Sequence, residues 1–126
     1  MMRNEVQGLR VLLIEDEELV TELIVDLLES EGCIIIGPFD RFSDAIHAAS
    51  VGNFDVVLLD LDLAGTSTAP IAALLRQREL PFVFMTGLGK GGLPLEHAKR
   101  PVVAKPFKAQ ELIDTLKHAA ARQFSS

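Results

Sequence analysis

Six side chains with a charge or a reactive hydroxyl stand at or just past the ends of short apolar runs in this sequence. Glu15 and Asp16 follow VLLI, Asp60 and Asp62 lie in VVLLDLD, Thr86 follows FVFM and Lys105 follows VVA. A carboxylate taken out of water protonates, pairs or binds a metal, so Asp60 and Asp62 need a partner or a rim open to solvent. Carboxylates grouped with water and main-chain oxygen suit Mg2+, a hard ion that keeps several of its waters. With such an ion relieving the repulsion among Glu15, Asp16 and Asp60, a carboxylate can attack a phosphoryl group in line while an ammonium neutralises the phosphoryl oxygens. On this reading Asp60 is the nucleophile and Lys105 the ammonium. Thr86 donates a rotatable hydroxyl to a phosphoryl oxygen and can report the transfer by moving.

Each residue also has a plainer reading. An Asp after an apolar strand commonly forms a turn or a helix cap, and Glu15 ahead of a helix favours the helix dipole. Thr86 can simply end a strand, and Lys105 can be a solvated charge before Pro106. What favours chemistry is their company at matching strand ends. The side chain of Asp62 reads better as a turn former than as a metal ligand. Thr66, Ser67 and Thr68 read as a loop entering a helix N-cap. His47, His97 and His118 lack metal-ligand spacing and read as surface residues. The glycines from Gly87 to Gly92 match neither a dinucleotide loop nor a Walker pattern.

The elements that must position these groups alternate in type. Val11 to Ile14 reads as a strand, followed by a helix with Leu19, Leu23 and Leu27 beside Val20, Ile24 and Leu28 and a C-terminal cap at Gly32. Cys33 to Ile36 is a second strand stopped by Gly37 and Pro38, and Ser43 begins a helix holding Ile46 and Ala49 on one face. Val56 to Leu59, Phe82 to Met85 and Val102 to Ala104 are three further strands. Pro70 suits the first turn of a helix carrying Ile71, Leu74 and Leu75. The last helix, from about Ala109, puts Leu112, Ile113, Leu116, Ala119 and Ala120 on one face. Gly87 to Pro101 is too rich in glycine and proline for a full helix, so the fourth helix is expected to be short or replaced by a loop. Strands that are apolar throughout are covered on both faces, and right-handed crossovers then give a parallel sheet between two helix layers. In such sheets ligands bind beyond the carboxyl ends of the strands, where these polar groups would converge.

The chain of 126 residues is expected to form one domain. With 12 Lys plus Arg against 18 Asp plus Glu, a net charge of -6, it lacks the basic footprint of a nucleic-acid binder. The single Cys33 excludes an internal disulfide and reads as a core residue. No run approaches the roughly 18 apolar residues of a membrane span, and the start MMRNEVQG is unlike a signal peptide. A cytoplasmic protein is expected.

From about Leu9 to Ala121 the chain resembles the receiver domains of two-component response regulators, through VLLIEDEE, VVLLDLDL, FVFMTG and VVAKPF in that order. The resemblance implies a flavodoxin-like fold with a five-stranded parallel sheet in the order 2-1-3-4-5. It implies Asp60 as phospho-acceptor, Thr86 and Lys105 as phosphoryl-binding switch residues, and a cis bond before Pro106 that aims the lysine into the site. For Mg2+ it implies the side chains of Asp16 and Asp60, the carbonyl of Asp62, and Glu15 through water. Asp62 and Leu88 occupy positions that influence phosphoryl lifetime in the family. Where the family usually carries Tyr or Phe, three residues before the lysine, this chain has Val102, so the readout must differ from an aromatic rotamer switch. The Gly87 to Gly92 segment, on the family's fourth-helix surface, is a candidate for that readout. PFVFMTGLGKGG further resembles single-domain receivers of bacterial stress signalling, with Met85 departing from their Phe-Ala-Thr-Gly pattern. The implied partners are a histidine kinase or histidine phosphotransfer protein and a downstream protein target, with no nucleic acid and no membrane.

Two other functions remain open. A receiver-like binding module that is never phosphorylated is one. A haloacid-dehalogenase-like phosphatase is the other, because DLDLAGT is similar to the Asp-x-Asp motif of that family. There the nucleophile sits on an early strand and the metal acids come late, whereas here Asp60 follows the acid pair.

Overall fold

The computed structural model describes residues 6–87 and 101–122. Its elements run β1 (Arg10–Ile14), α1 (Glu18–Ser30), β2 (Ile34–Phe39), α2 (Phe42–Val51), β3 (Val56–Asp60), β4 (Asp62–Leu63), β5 (Thr66–Ser67), α3 (Ala69–Gln77), β6 (Phe82–Thr86), β7 (Val102–Ala104) and α4 (Ala109–Arg122). The five longer strands form a parallel sheet in the order β2-β1-β3-β6-β7. Once the β4–β5 hairpin is set aside, this is the expected 2-1-3-4-5 order of a doubly wound, flavodoxin-like sheet.

Alternation along the strands divides the core in two. Val11, Leu13, Val56, Leu58, Val83, Met85 and Val103 pack with Ile24 and Leu28 of α1 and Leu112 and Leu116 of α4. Leu12, Ile14, Val57, Leu59, Phe82 and Phe84 face the other way, onto Ala45 and Ala49 of α2 and Ile71, Ala72 and Leu75 of α3. Both faces of the sheet are therefore covered, which is why β1, β3 and β6 are apolar on nearly every residue. Cys33 joins the first cluster, and burial followed by the nearby Glu31 charge pushes its thiol up to about 11.

Three elements differ from the sequence expectation. β2 begins at Ile34 and passes through Gly37 and Pro38 to Phe39. Because β2 is an edge strand, the missing N–H of Pro38 costs no pairing in the sheet interior. The pairs Leu12↔Ile36 and Ile14↔Phe39 leave one extra residue on β2, a bulge that absorbs the proline. In α1 the packed row is Val20, Ile24 and Leu28, whereas Leu19 and Leu23 are 75% and 63% exposed, because they fall outside the stripe that faces the sheet. α2 begins one residue early, at Phe42. The expectation of a short or missing fourth helix falls on residues 88–100, outside the described residues, as do Leu88 and His97.

The C-terminus of α1 ends as Gly32 allows. At φ +90° this residue donates its N–H to the Glu29 carbonyl while Cys33 donates to that of Leu28, the paired bonds of a Schellman cap.

Candidate metal and phosphoryl site

Register brings the polar strand ends together. Ile14 pairs with Leu59, Asp60 with Met85, and Thr86 with Ala104. Glu15, Asp60, Thr86 and Lys105 therefore end four adjacent strands at one edge of the sheet. Glu15, Asp60 and Thr86 are buried, whereas Asp16 is exposed at the rim.

Glu15 is held from two sides. Its Oε2 accepts the N–H groups of Asp16 and Glu17, each at 3.0 Å, and its buried Oε1 meets Lys105 Nζ at 2.7 Å as an ion pair. Lys105 Nζ also lies 3.2 Å from Asp60 Oδ2 and 3.0 Å from Glu17 Oε1. The Lys105–Pro106 bond is cis, as the resemblance implied, and a second cis bond joins Gly37 to Pro38. Burial and then the adjacent Glu15 push the Asp60 carboxyl up to about 7, against the opposing pull of Lys105. Burial works against the charge of Lys105, yet its contacts with Glu15 and Glu17 and the charge of Asp60 hold the ammonium above the usual lysine range.

Carboxylate oxygens of Glu15, Asp16 and Asp60 lie within 4.8 Å of one another. The donor set is all oxygen and strongly acidic, which fits a hard divalent cation better than a soft one. Asp16 Oδ2 accepts the Ala64 N–H at 2.9 Å, leaving its other oxygen for an ion. The Asp62 side chain does not join the cluster. It is exposed, and its Oδ2 accepts the Gly65 N–H at 2.9 Å, the turn-forming role that the sequence favoured. Thr86 is buried at the end of β6 and its carbonyl accepts the Lys105 N–H at 2.9 Å. Val102, half-buried, packs toward the α2 and α3 side of the core. Pro106 is exposed beside the site. His47 and His118 lie on the surface.

Sequence reasoning missed two residues. Thr68 stands at the N-cap of α3, where its side chain makes no cap bond; fully buried, it donates instead to the main-chain oxygen of Asp60. Glu17, the third ligand of the Lys105 ammonium, was hidden within VLLIEDEE as one more helix-entry acid. Only a fold in hand shows that the lysine, 88 residues away, reaches it.

Comparison with known proteins decides the family. Residues 11–117 match the response regulator receiver domain. This chain belongs to that family. The receiver is 30% identical to the transcriptional regulatory protein TcrA of Mycobacterium tuberculosis over 94% of the chain and 49% of that protein. It is 31% identical to DltR of Streptococcus agalactiae over 83% of the chain and 49% of that protein. The chain thus spans about half the length of these curated relatives. The solution structure of SdrG from Sphingomonas melonis Fr1 superposes with a TM-score of 0.80 at 30% identity, covering 90% of this chain and 97% of that one. The receiver domain of the sensor histidine kinase PA1611 from Pseudomonas aeruginosa, described with a magnesium ion in its active-site cleft, shares the fold at a TM-score of 0.79 and 24% identity. It covers 90% of this chain and 98% of that one. A receiver domain is a signalling domain of two-component systems rather than a turnover enzyme. No helix among the described residues is long and apolar enough to cross a membrane.

Proposed function

We propose that this receiver accepts a phosphoryl group on Asp60 in a Mg2+-dependent reaction and signals by protein contact as a cytoplasmic response regulator. The observation that carries the reading is the Lys105 ammonium 3.2 Å from Asp60 Oδ2, beside a cluster of three acids of which Glu15 and Asp60 are buried. Following the resemblance, Asp16 and Asp60 would hold the ion through their side chains and Asp62 through its carbonyl, with Glu15, whose oxygens already serve Lys105 and two main-chain N–H groups, acting through water. The magnesium described for the PA1611 receiver supports the choice of ion. When bound, Mg2+ supplies charge neutralisation at the phosphoryl oxygens.

A carboxylate oxygen of Asp60 attacks phosphorus in line, the bond from phosphorus to the donor breaks, and the donor leaves with the bonding pair. Lys105 stabilises the phosphoryl charge and Thr86 donates its hydroxyl to a phosphoryl oxygen. Asp62 and Leu88 tune the lifetime of the product. With Val102 in place of an aromatic, readout passes through other parts of this edge.

The donor is a histidine kinase or a histidine phosphotransfer protein, and the target is a second protein. An apolar groove of about 280 Å³, lined by Val20, Leu23, Leu27, Lys105, Pro106 and Phe107, borders the site and offers the donor a seat. The test is intact mass after incubation with Mg2+ and acetyl phosphate, beside Asp60→Asn and EDTA controls. A phosphoryl-sized gain lost in both controls supports the reading. No gain with folded protein, repeated with candidate kinases, favours a receiver-like binding module.

A further inference from the structure

We propose that Glu17 is a positioning residue for Lys105, competing with the phosphoryl group for its ammonium: the ion pair is made in the resting site and given up when Asp60 is phosphorylated. The inference rests on the phosphoryl-accepting reading of the site. An ammonium has three N–H donors, and here three carboxylates surround it, Glu15 at 2.7 Å, Glu17 at 3.0 Å and Asp60 at 3.2 Å. Glu17 and Asp60 accept its hydrogen bonds, and Glu15 stands against it as a buried ion pair. A phosphoryl group on Asp60 brings new anionic oxygens toward the same nitrogen, so they compete with the carboxylates already around it.

The three carboxylates differ in their freedom to do so. Glu15 is buried and fixed by the N–H groups of Asp16 and Glu17, and its Oε1, which accepts no hydrogen bond among the described residues, keeps Lys105 as its counter-charge. Asp60 is the acceptor itself. Glu17 has a side chain 61% exposed, and as the N-cap of α1 it makes no capping bond there. It can turn into water at little cost. The sequence thus places a dispensable acid beside two fixed ones, and its loss should favour the phosphorylated state.

The test compares Glu17→Gln, Glu17→Asp and a charge control, Glu18→Gln, on the next and likewise exposed residue of α1. Each is titrated with beryllofluoride at saturating Mg2+, and the Lys105 ammonium resonance is recorded before any addition. Both Glu17 variants are expected to bind beryllofluoride about two- to fivefold more tightly than wild type, the range of an exposed ion pair. Glu18→Gln should move affinity by less than half of that, and Glu17→Gln should shift the Lys105 resonance in the ligand-free protein. Equal effects from Glu17→Gln and Glu18→Gln reduce the gain to net charge and overturn the proposal, as does Glu17→Asp behaving like wild type. Weaker binding by Glu17→Gln overturns the competition too, because Glu17 would then be a support that persists on phosphorylation. A wild type that takes no beryllofluoride overturns the phosphoryl reading and the competition with it. An unmoved Lys105 resonance overturns the ion pair alone.

Discussion

Thr68 donates its hydroxyl proton to the main-chain oxygen of Asp60, a buried bond between the hairpin's exit and the acid at the centre of the site. The Thr68 N–H also binds the Leu61 carbonyl at 3.0 Å, so this one residue closes the loop that begins at Asp60. Thr68→Val keeps the shape and deletes the donor, leaving a buried carbonyl short of a partner. The expected cost is about 1–2 kcal/mol in urea denaturation, with Mg2+ affinity falling severalfold because Asp60 loses its fixed backbone. Thr68→Ser should stay near wild type in both. Unchanged stability of Thr68→Val would show that the bond has no net worth.

The raised carboxyl of Asp60 makes stability depend on pH with a definite sign. Its folded value of about 7 lies above the ordinary value of 3.8, so between these the folded state binds more protons than the unfolded one. Stability of the metal-free protein should therefore fall as pH rises from about 4 to about 7. Asp60→Asn removes that dependence together with the buried charge that repels Glu15. In EDTA at pH 8 it should be more stable than wild type by on the order of 2 kcal/mol, with the difference fading near pH 4. Mg2+ should close the gap by stabilising only the wild type. Parallel pH profiles for the two proteins would sink this account.

The sheet and most of the site were legible because both follow from short-range pattern. Apolar runs ending in Glu15, Asp60, Thr86 and Lys105 announce buried parallel strands with polar carboxyl ends, and strand register then does the assembling. The β4–β5 hairpin was not legible. Its turn, Ala64–Gly65, has φ values of +49° and +89°, and an alanine there gives none of the signal that Asn or Asp would. Pro38 pointed to a strand end where an edge strand with a bulge continued, a distinction set by position in the sheet rather than by local sequence. Leu19 and Leu23 matched the apolar row of α1 as well as the residues that pack, and only the neighbouring elements decide which row is covered. Glu17 and Thr68 act through partners distant in chain or on the main chain, where residue type carries no warning.

Asp16 ties the hairpin to the acid cluster through its bond to the Ala64 N–H. Asp16→Ala should weaken Mg2+ binding by about tenfold or more. It should also speed hydrogen exchange at the Ala64 amide, while changing global stability by less than about 1 kcal/mol, because the residue is exposed. The two readouts come from one side chain but different oxygens. Lost Mg2+ affinity with an unchanged Ala64 amide would show that the hairpin stands without this tether.

Asp62 supports the last prediction, which concerns kinetics rather than binding. Its carboxylate is exposed, accepts the Gly65 N–H of its own hairpin, and stands two residues beyond Asp60. Removing it by Asp62→Ala costs one exposed hydrogen bond, about 0.5–1 kcal/mol, and takes away a negative charge two residues from Asp60. The half-life of phosphorylated Asp60, followed as loss of the phosphoryl mass after the donor is removed, should change by about threefold or more through that altered field. Asp62→Asn, which keeps an acceptor for Gly65 but not the charge, should share the kinetic change and retain the stability. A half-life unmoved in both variants, with the midpoint of denaturation lowered in Asp62→Ala alone, would reduce Asp62 to a turn former and leave the lifetime to the rest of the site.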